Sequence, residues 1–207
     1  MQVEKTEIYL IRHGQVDFPQ GVFYGQLDIP LSDIGKRQSL LCAKRFTDIR
    51  IDAVISSDLS RCLYLSNKIA EVHNIDLFSD KRLREINFGK WQGLSWDEIE
   101  SLYPGQMEKR MKNLASFRPP LGESLTDLLN RAFPVLEDCL NGKFGERIVI
   151  VAHGGVNRAL ICKLLGMDLQ NLFCLQQDYT CINLIDSYLD GQRVLRYINC
   201  TCHLTGL

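Results

Sequence analysis

Ile8-Tyr9-Leu10-Ile11-Arg12-His13-Gly14 and Ile148-Val149-Ile150-Val151-Ala152-His153-Gly154-Gly155 share one design: an apolar run, a histidine, then glycine. Each run is short and rich in β-branched residues, which reads as a buried strand. Each histidine then falls at a strand's carboxyl end, the edge where open α/β sheets bind ligands. Glycine beside it allows close approach and a sharp exit into the next element. Taken singly, a histidine in this position is more often structural than catalytic. Two in the same setting point to one shared site.

Working outward, runs rich in Ile, Val and Tyr predict strands over residues 7–12, 53–56, 147–152, 181–188 and 194–199. Amphipathic stretches lie between them. Ser32, Asp58 and Ser124 are the expected N-caps of helices reaching residues 46, 72 and 140. Strands alternating with helices predict an α/β domain, three layers α/β/α around a mostly parallel sheet, because parallel neighbours need a crossover connection. Residues 83–120 are more polar, hold both tryptophans, and carry the breakers Pro104-Gly105 and Pro119-Pro120. They read as a helical, lid-like insertion near the site within one domain spanning 1–207.

Composition narrows the partners. Lys and Arg total 24 against 25 Asp and Glu, a formal charge of -1, so no global attraction to nucleic acid or an anionic membrane is expected. The first apolar run, Ile8 to Ile11, is far shorter than a signal-peptide core, and no later stretch approaches a membrane span. The expectation is a cytoplasmic protein. The 8 cysteines stand without the CxxC pairs of zinc sites and read as reduced, mostly buried thiols. Cys200-Thr201-Cys202-His203 has no recurring zinc spacing either, so no metal is expected.

Two further segments carry charge suited to the histidine edge. Ile55-Ser56-Ser57-Asp58-Leu59-Ser60-Arg61 is a strand leading into a helix, with Arg61 in the first turn where an anion meets free N–H groups. Its alternative is a plain surface charge. Arg12 beside His13 adds a second guanidinium, whose planar fork suits tetrahedral oxyanions. Leu83-Arg84-Glu85, followed by Phe88 and Trp91, places a carboxyl in a turn-rich aromatic segment. Partial shielding there suits a general acid, whereas pairing with Arg82 or Arg84 is the bland alternative.

These motifs together resemble the histidine phosphatase superfamily, also called phosphoglycerate mutase-like. The resemblance rests on Arg12-His13-Gly14, Gly25-Gln26-Leu27-Asp28-Ile29-Pro30-Leu31-Ser32 with Gly35, Ser56 to Arg61, Leu83-Arg84-Glu85 with Phe88 to Gly93, Gly122-Glu123-Ser124 and His153-Gly154-Gly155. It implies His13 as nucleophile, Arg12, Arg61 and His153 as the phosphate pocket, and Glu85 as proton donor. It also implies a metal-independent hydrolysis through a phosphohistidine, with a protonated His153 among the groups that neutralise the equatorial oxygens. Many members carry an asparagine six residues beyond the nucleophile; here that position is Pro19, and Gln15 is the candidate substitute.

Only residues 86–152 separate Glu85 from His153, short for the family's mutases, so hydrolysis is expected. Arg12-His13-Gly14 with Val16-Asp17, Gly25 to Asp28, Ser60-Arg61-Cys62 and Glu123-Ser124 resemble the alpha-ribazole phosphatase branch of cobalamin synthesis. A broad-specificity or sugar-phosphate phosphatase is the alternative, ahead of a mutase and of a non-catalytic module that binds phosphorylated ligands. Phe23, Tyr24, Trp91 and Trp96 are candidates for stacking on a base, and Gln15, Tyr24, Gln26 and Trp91 for substrate contact. The expected partner is a small phosphorylated metabolite, and the expected state a monomer or homodimer.

Overall fold

A computed structural model describes residues 5–206. Its strands are β1 (Lys5–Arg12), β2 (Ala53–Ser56), β3 (Leu77–Ser79), β4 (Arg147–Ala152), β5 (Ile182–Tyr188) and β6 (Arg193–Cys200). Its α-helices are α1 (Asp33–Lys44), α2 (Ser60–His73), α3 (Trp96–Leu102), α4 (Gln106–Lys112), α5 (Leu125–Leu140) and α6 (Gly154–Leu165). One six-stranded sheet runs in the order β3-β2-β4-β1-β5-β6. β5 alone runs against the rest, pairing antiparallel with β1 and β6.

The alternation of side chains along the central strands builds the layers. Ile8, Leu10, Ile148 and Ile150 face one way and pack on Leu128, Leu136, Val156 and Leu160 of α5 and α6. Tyr9, Ile11, Val149 and Val151 face the other way, against Cys42 and Phe46 from the α1 side and Leu65 and Ile69 of α2. Strands covered on both faces are apolar throughout, which is why β2 and the inner part of β4 read as continuous hydrophobic runs. None of the helices of the described residues is long and apolar enough to cross a membrane.

Ser32 and Ser124 cap α1 and α5 as expected, the latter in a reciprocal box with Asp127. Asp58 does not cap α2. The helix starts at Ser60 behind Leu59, and its first N–H is taken by Asp28 Oδ1, which also accepts from the Ser60 hydroxyl at 2.7 Å. Asp58 instead holds Arg84 through two bonds of 2.6 Å. A charged partner brought close by the fold outcompeted the local backbone for the same carboxylate.

Between β3 and α5 the chain forms two 3-10 turns and the short helices α3 and α4, gathered around buried Trp91, Ile99 and Met107. Phe23 joins this cluster from the loop after β1, and its N–H and C=O bond Leu94 O and Gly93 N. The two segments thus fold as one layer above the sheet edge.

Candidate active site

β1 and β4 are parallel neighbours in register, Arg12 opposite Ala152, so their next residues emerge side by side. The rings of His13 and His153 lie 5.1 Å apart between centroids. His13 is 1% exposed and anchored at both backbone ends, its N–H donating to Ala152 O and its C=O accepting from Thr180 N. Gly14 follows because a Cβ there would run into Gly35 O of α1.

Hydrogen bonding sets the tautomer of each ring. His13 Nδ1 lies 2.7 Å from Gly14 O, and a carbonyl only accepts, so Nδ1 carries the proton and Nε2 keeps its lone pair. Burial first, then Arg61 and Arg12, hold this imidazole well below the usual histidine range, so it is neutral. His153 accepts at Nδ1 from Arg61 Nε at 3.3 Å and donates from Nε2 to Ser57 Oγ at 2.9 Å. Burial, Arg61, His13 and Arg12 push it down as well. The expected protonated His153 is therefore absent without phosphate: its Nδ1 is occupied by a cation's donor and its surroundings are positive.

Arg61 is buried completely and is no surface charge. Its remaining nitrogens donate to Leu27 O and Gly25 O at 2.7 Å, and its guanidinium lies 5.1 Å from the Tyr24 ring. Arg12 donates to Gln177 O and stacks 4.0 Å above Tyr179, while its buried Nε has no partner among the described residues. A free donor in a positive, enclosed setting is what an oxyanion would satisfy.

Glu85 is paired with neither Arg82 nor Arg84, which bind Asp80 and Asp58. Its carboxylate accepts from Gly155 N at 3.0 Å and from its neighbour Ile86 N at 2.9 Å. Glycine at 155 leaves the carboxyl its place, because a Cβ there would push Glu85 Oε1 aside. Gln26 donates its amide to Glu85 O, and Arg131 reaches the same carbonyl while binding Glu123 with two bonds. Gln26 thus braces the acid's loop.

Trp91 is not at the site. It is fully buried, 5.4 Å from Phe117 and 6.4 Å from Phe23 between ring centroids, and belongs to the core of the 83–120 segment. Its large apolar side chain packs there against Ile99 and Met107 of the two short helices. Phe88, the other aromatic expected beside Glu85, lines the same pocket as its carboxyl. Tyr24 does face the guanidiniums, and burial raises its phenol to about 12. Gln15 engages Gln38 and Ser32 through its backbone, and Pro19 is exposed.

Residues that sequence reasoning passed over complete the site. Ser57 stands in a quoted motif and fixes His153. Tyr179 stacks on Arg12 and lies 5.8 Å from His13. Arg110 and Arg158 line a pocket of about 350 Å³ with Glu85, Gly155, Phe23, Phe88, Trp96 and Phe173. Nothing in the spacing of Arg110 or Arg158 marks them, since helices alone bring them there. No group of three or more His, Cys, Asp or Glu with metal-binding geometry occurs among the described residues, and the eight cysteines are free thiols, five of them buried.

The arrangement can accept a phosphoryl group beside a neutral imidazole lone pair, two guanidiniums and a carboxyl. Comparison with known proteins agrees. Phosphoserine phosphatase 1 of Hydrogenobacter thermophilus is 30% identical over 96% of this chain and 94% of its own length. A solved mycobacterial glucosyl-3-phosphoglycerate phosphatase is 27% identical, covers 95% of this chain and 99% of its own, and superimposes with a TM-score of 0.84. The alpha-ribazole phosphatase of Shigella flexneri shares the fold, with a TM-score of 0.86 at 22% identity over 95% of this chain and 97% of its own. The family model described as histidine phosphatase superfamily (branch 1) matches residues 8–200, and the chain belongs to that superfamily as a histidine-dependent phosphatase.

Proposed function

We propose that the protein hydrolyses a small phosphomonoester in two displacements at His13. The observation that carries this reading is the bond from His13 Nδ1 to Gly14 O, which leaves Nε2 unprotonated in a buried, neutral ring flanked by guanidiniums. Nε2 attacks phosphorus in line; the P–N bond forms as the P–O ester bond breaks, and the electron pair leaves with the alcohol oxygen. Glu85 supplies the proton to that oxygen. A water then attacks the phosphohistidine, Glu85 takes its proton, and the P–N bond breaks to restore neutral His13 and release phosphate.

Arg12 and Arg61 offset charge on the equatorial oxygens, Arg12 through the Nε that has no protein partner. His153 contributes its position and, once a dianion offsets the surrounding cations, a raised proton affinity. Because guanidiniums provide the positive charge, turnover is expected to persist in EDTA.

The leaving alcohol occupies the pocket beside Glu85. Its aromatic walls, Phe23, Phe88, Trp96 and Phe173, support the alpha-ribazole 5'-phosphate reading and hence a place in cobalamin synthesis. The relatives' names, phosphoserine and glucosyl-3-phosphoglycerate phosphatase, support instead an alcohol that carries a carboxylate.

The experiment is p-nitrophenyl phosphate turnover with and without EDTA, with acid-quenched trapping of the phosphoenzyme. His13→Ala is expected to lose several orders of magnitude in kcat and all trapped phosphate. Substantial residual turnover in that variant would show that another group is the nucleophile, and abolition by EDTA would sink the metal-free scheme.

A further inference from the structure

Arg110 lies on α4, 8% exposed, in the pocket that also exposes Glu85 and Gly155. No carboxylate among the described residues lies within ion-pair distance of it, and its side chain donates to the Met111 thioether at 3.8 Å. Instead its guanidinium sits within 5.8–5.9 Å of the ring centroids of Phe23, Phe88 and Phe173. Arg158, from α6, approaches the same Phe173 ring at 5.8 Å and spends only its Nε on the protein, donating to Leu175 O.

A guanidinium removed from water without an anion is costly to keep. The other buried arginine among the described residues, Arg61, is held by carbonyls and an imidazole. Arg110 has aromatic faces and one weak thioether acceptor, which recover part of its hydration. The phosphoryl group already has Arg12 and Arg61, so Arg110 is surplus to it, while Arg158 spans the space between Arg12 and the pocket. Both stand on the leaving-group side, where Glu85 meets the pocket.

We infer that Arg110 and Arg158 form an anion subsite for the leaving alcohol, and that the preferred substrate is a phosphomonoester whose alcohol carries a carboxylate. The planar fork of Arg110 matches a carboxylate edge, and a single negative charge suits a wall that is otherwise largely apolar. The aromatic rings then pack against the carbon skeleton between carboxylate and phosphate. A neutral aromatic base would leave both guanidiniums unpaired in the same space. The inference rests on the phosphatase reading of the site.

The test compares 3-phosphoglycerate with glycerol 3-phosphate, which differ by a carboxylate in place of a hydroxymethyl group. Alpha-ribazole 5'-phosphate, a sugar bisphosphate and p-nitrophenyl phosphate complete the panel. The wild type is expected to favour the carboxylated ester at least about tenfold in kcat/KM, the size of one charge-assisted contact. In Arg110→Met that ratio is expected to fall toward one, with Arg110→Lys retaining part of it. Arg158→Met provides an independent variant of the same subsite. Equal kcat/KM for the matched pair in an enzyme active on p-nitrophenyl phosphate would overturn the inference alone, as would a preference for the bisphosphate or for alpha-ribazole 5'-phosphate. No turnover of any ester, p-nitrophenyl phosphate included, would overturn the phosphatase reading beneath it and the inference with it.

Discussion

One residue, Gly155, serves the carboxyl of Glu85 in two ways. Gly155 brings an N–H to the carboxylate and, lacking a Cβ, makes room for it. Glu85→Gln keeps an acceptor for that N–H and removes the ionisable proton. It should therefore slow alkyl phosphates by about 10²–10⁴-fold and aryl phosphates much less, since a good leaving group needs no proton. Gly155→Ala should reproduce the same pattern by displacing the carboxyl. Equal losses on both ester types, measured as kcat under saturating substrate, would assign Glu85 to substrate positioning. The acid itself was legible in the sequence, and Phe88 does line its pocket, but the backbone donor from a segment 70 residues away was not legible.

At the scale of elements, the strands that could be read were those whose apolar runs exceed the noise of composition. β3 escaped because it has three residues, Leu77–Ser79, all at least partly exposed on an edge. α6 begins with Gly154-Gly155, poor helix formers that are tolerated because His153 must end a strand and Glu85 must approach. Long-range pairing was the least legible feature. Arg131 on α5 reaches Arg82 O and Glu85 O and binds Glu123, whose carboxylate in turn accepts from Asn87 N. This one side chain ties the long helix to the loop that carries the acid, and no local pattern marks it.

That clamp can be measured. Arg131→Gln leaves a partly buried Glu123 carboxylate without its cation and should lower unfolding stability by about 2 kcal/mol. It should also reduce kcat on alkyl phosphates by loosening Glu85. Combined with Glu123→Gln in a double-mutant cycle, the pair should show a coupling energy of about 1 kcal/mol or more. Additive effects would mean that the two residues act separately.

For the whole molecule, a site built to hold an anion is strained electrostatically while empty. His13 and His153 are kept neutral in the folded state by burial and nearby guanidiniums, and both return toward 6.5 when the chain unfolds. Below pH 6.5 the unfolded chain therefore binds protons that the folded chain refuses. Stability is greatest above 6.5 and falls as pH drops, by up to about 1.4 kcal/mol per pH unit for each imidazole. His203, also held low by burial and Arg45, adds in the same direction. Carboxylates depressed by their partners, such as Asp52, Asp58 and Asp80, lose their contribution only near and below pH 4, so the interval from 6.5 to about 4.5 belongs to the histidines. A bound phosphate anion offsets the guanidiniums beside both rings and raises their proton affinity in the folded state. Urea unfolding between pH 7 and 5 should therefore show a steep decline without phosphate and a shallower one at saturating phosphate. His153→Gln should remove a share of the phosphate-free slope. A flat profile, or a slope that phosphate leaves unchanged, would contradict the neutral state of the two histidines from which the nucleophile was argued.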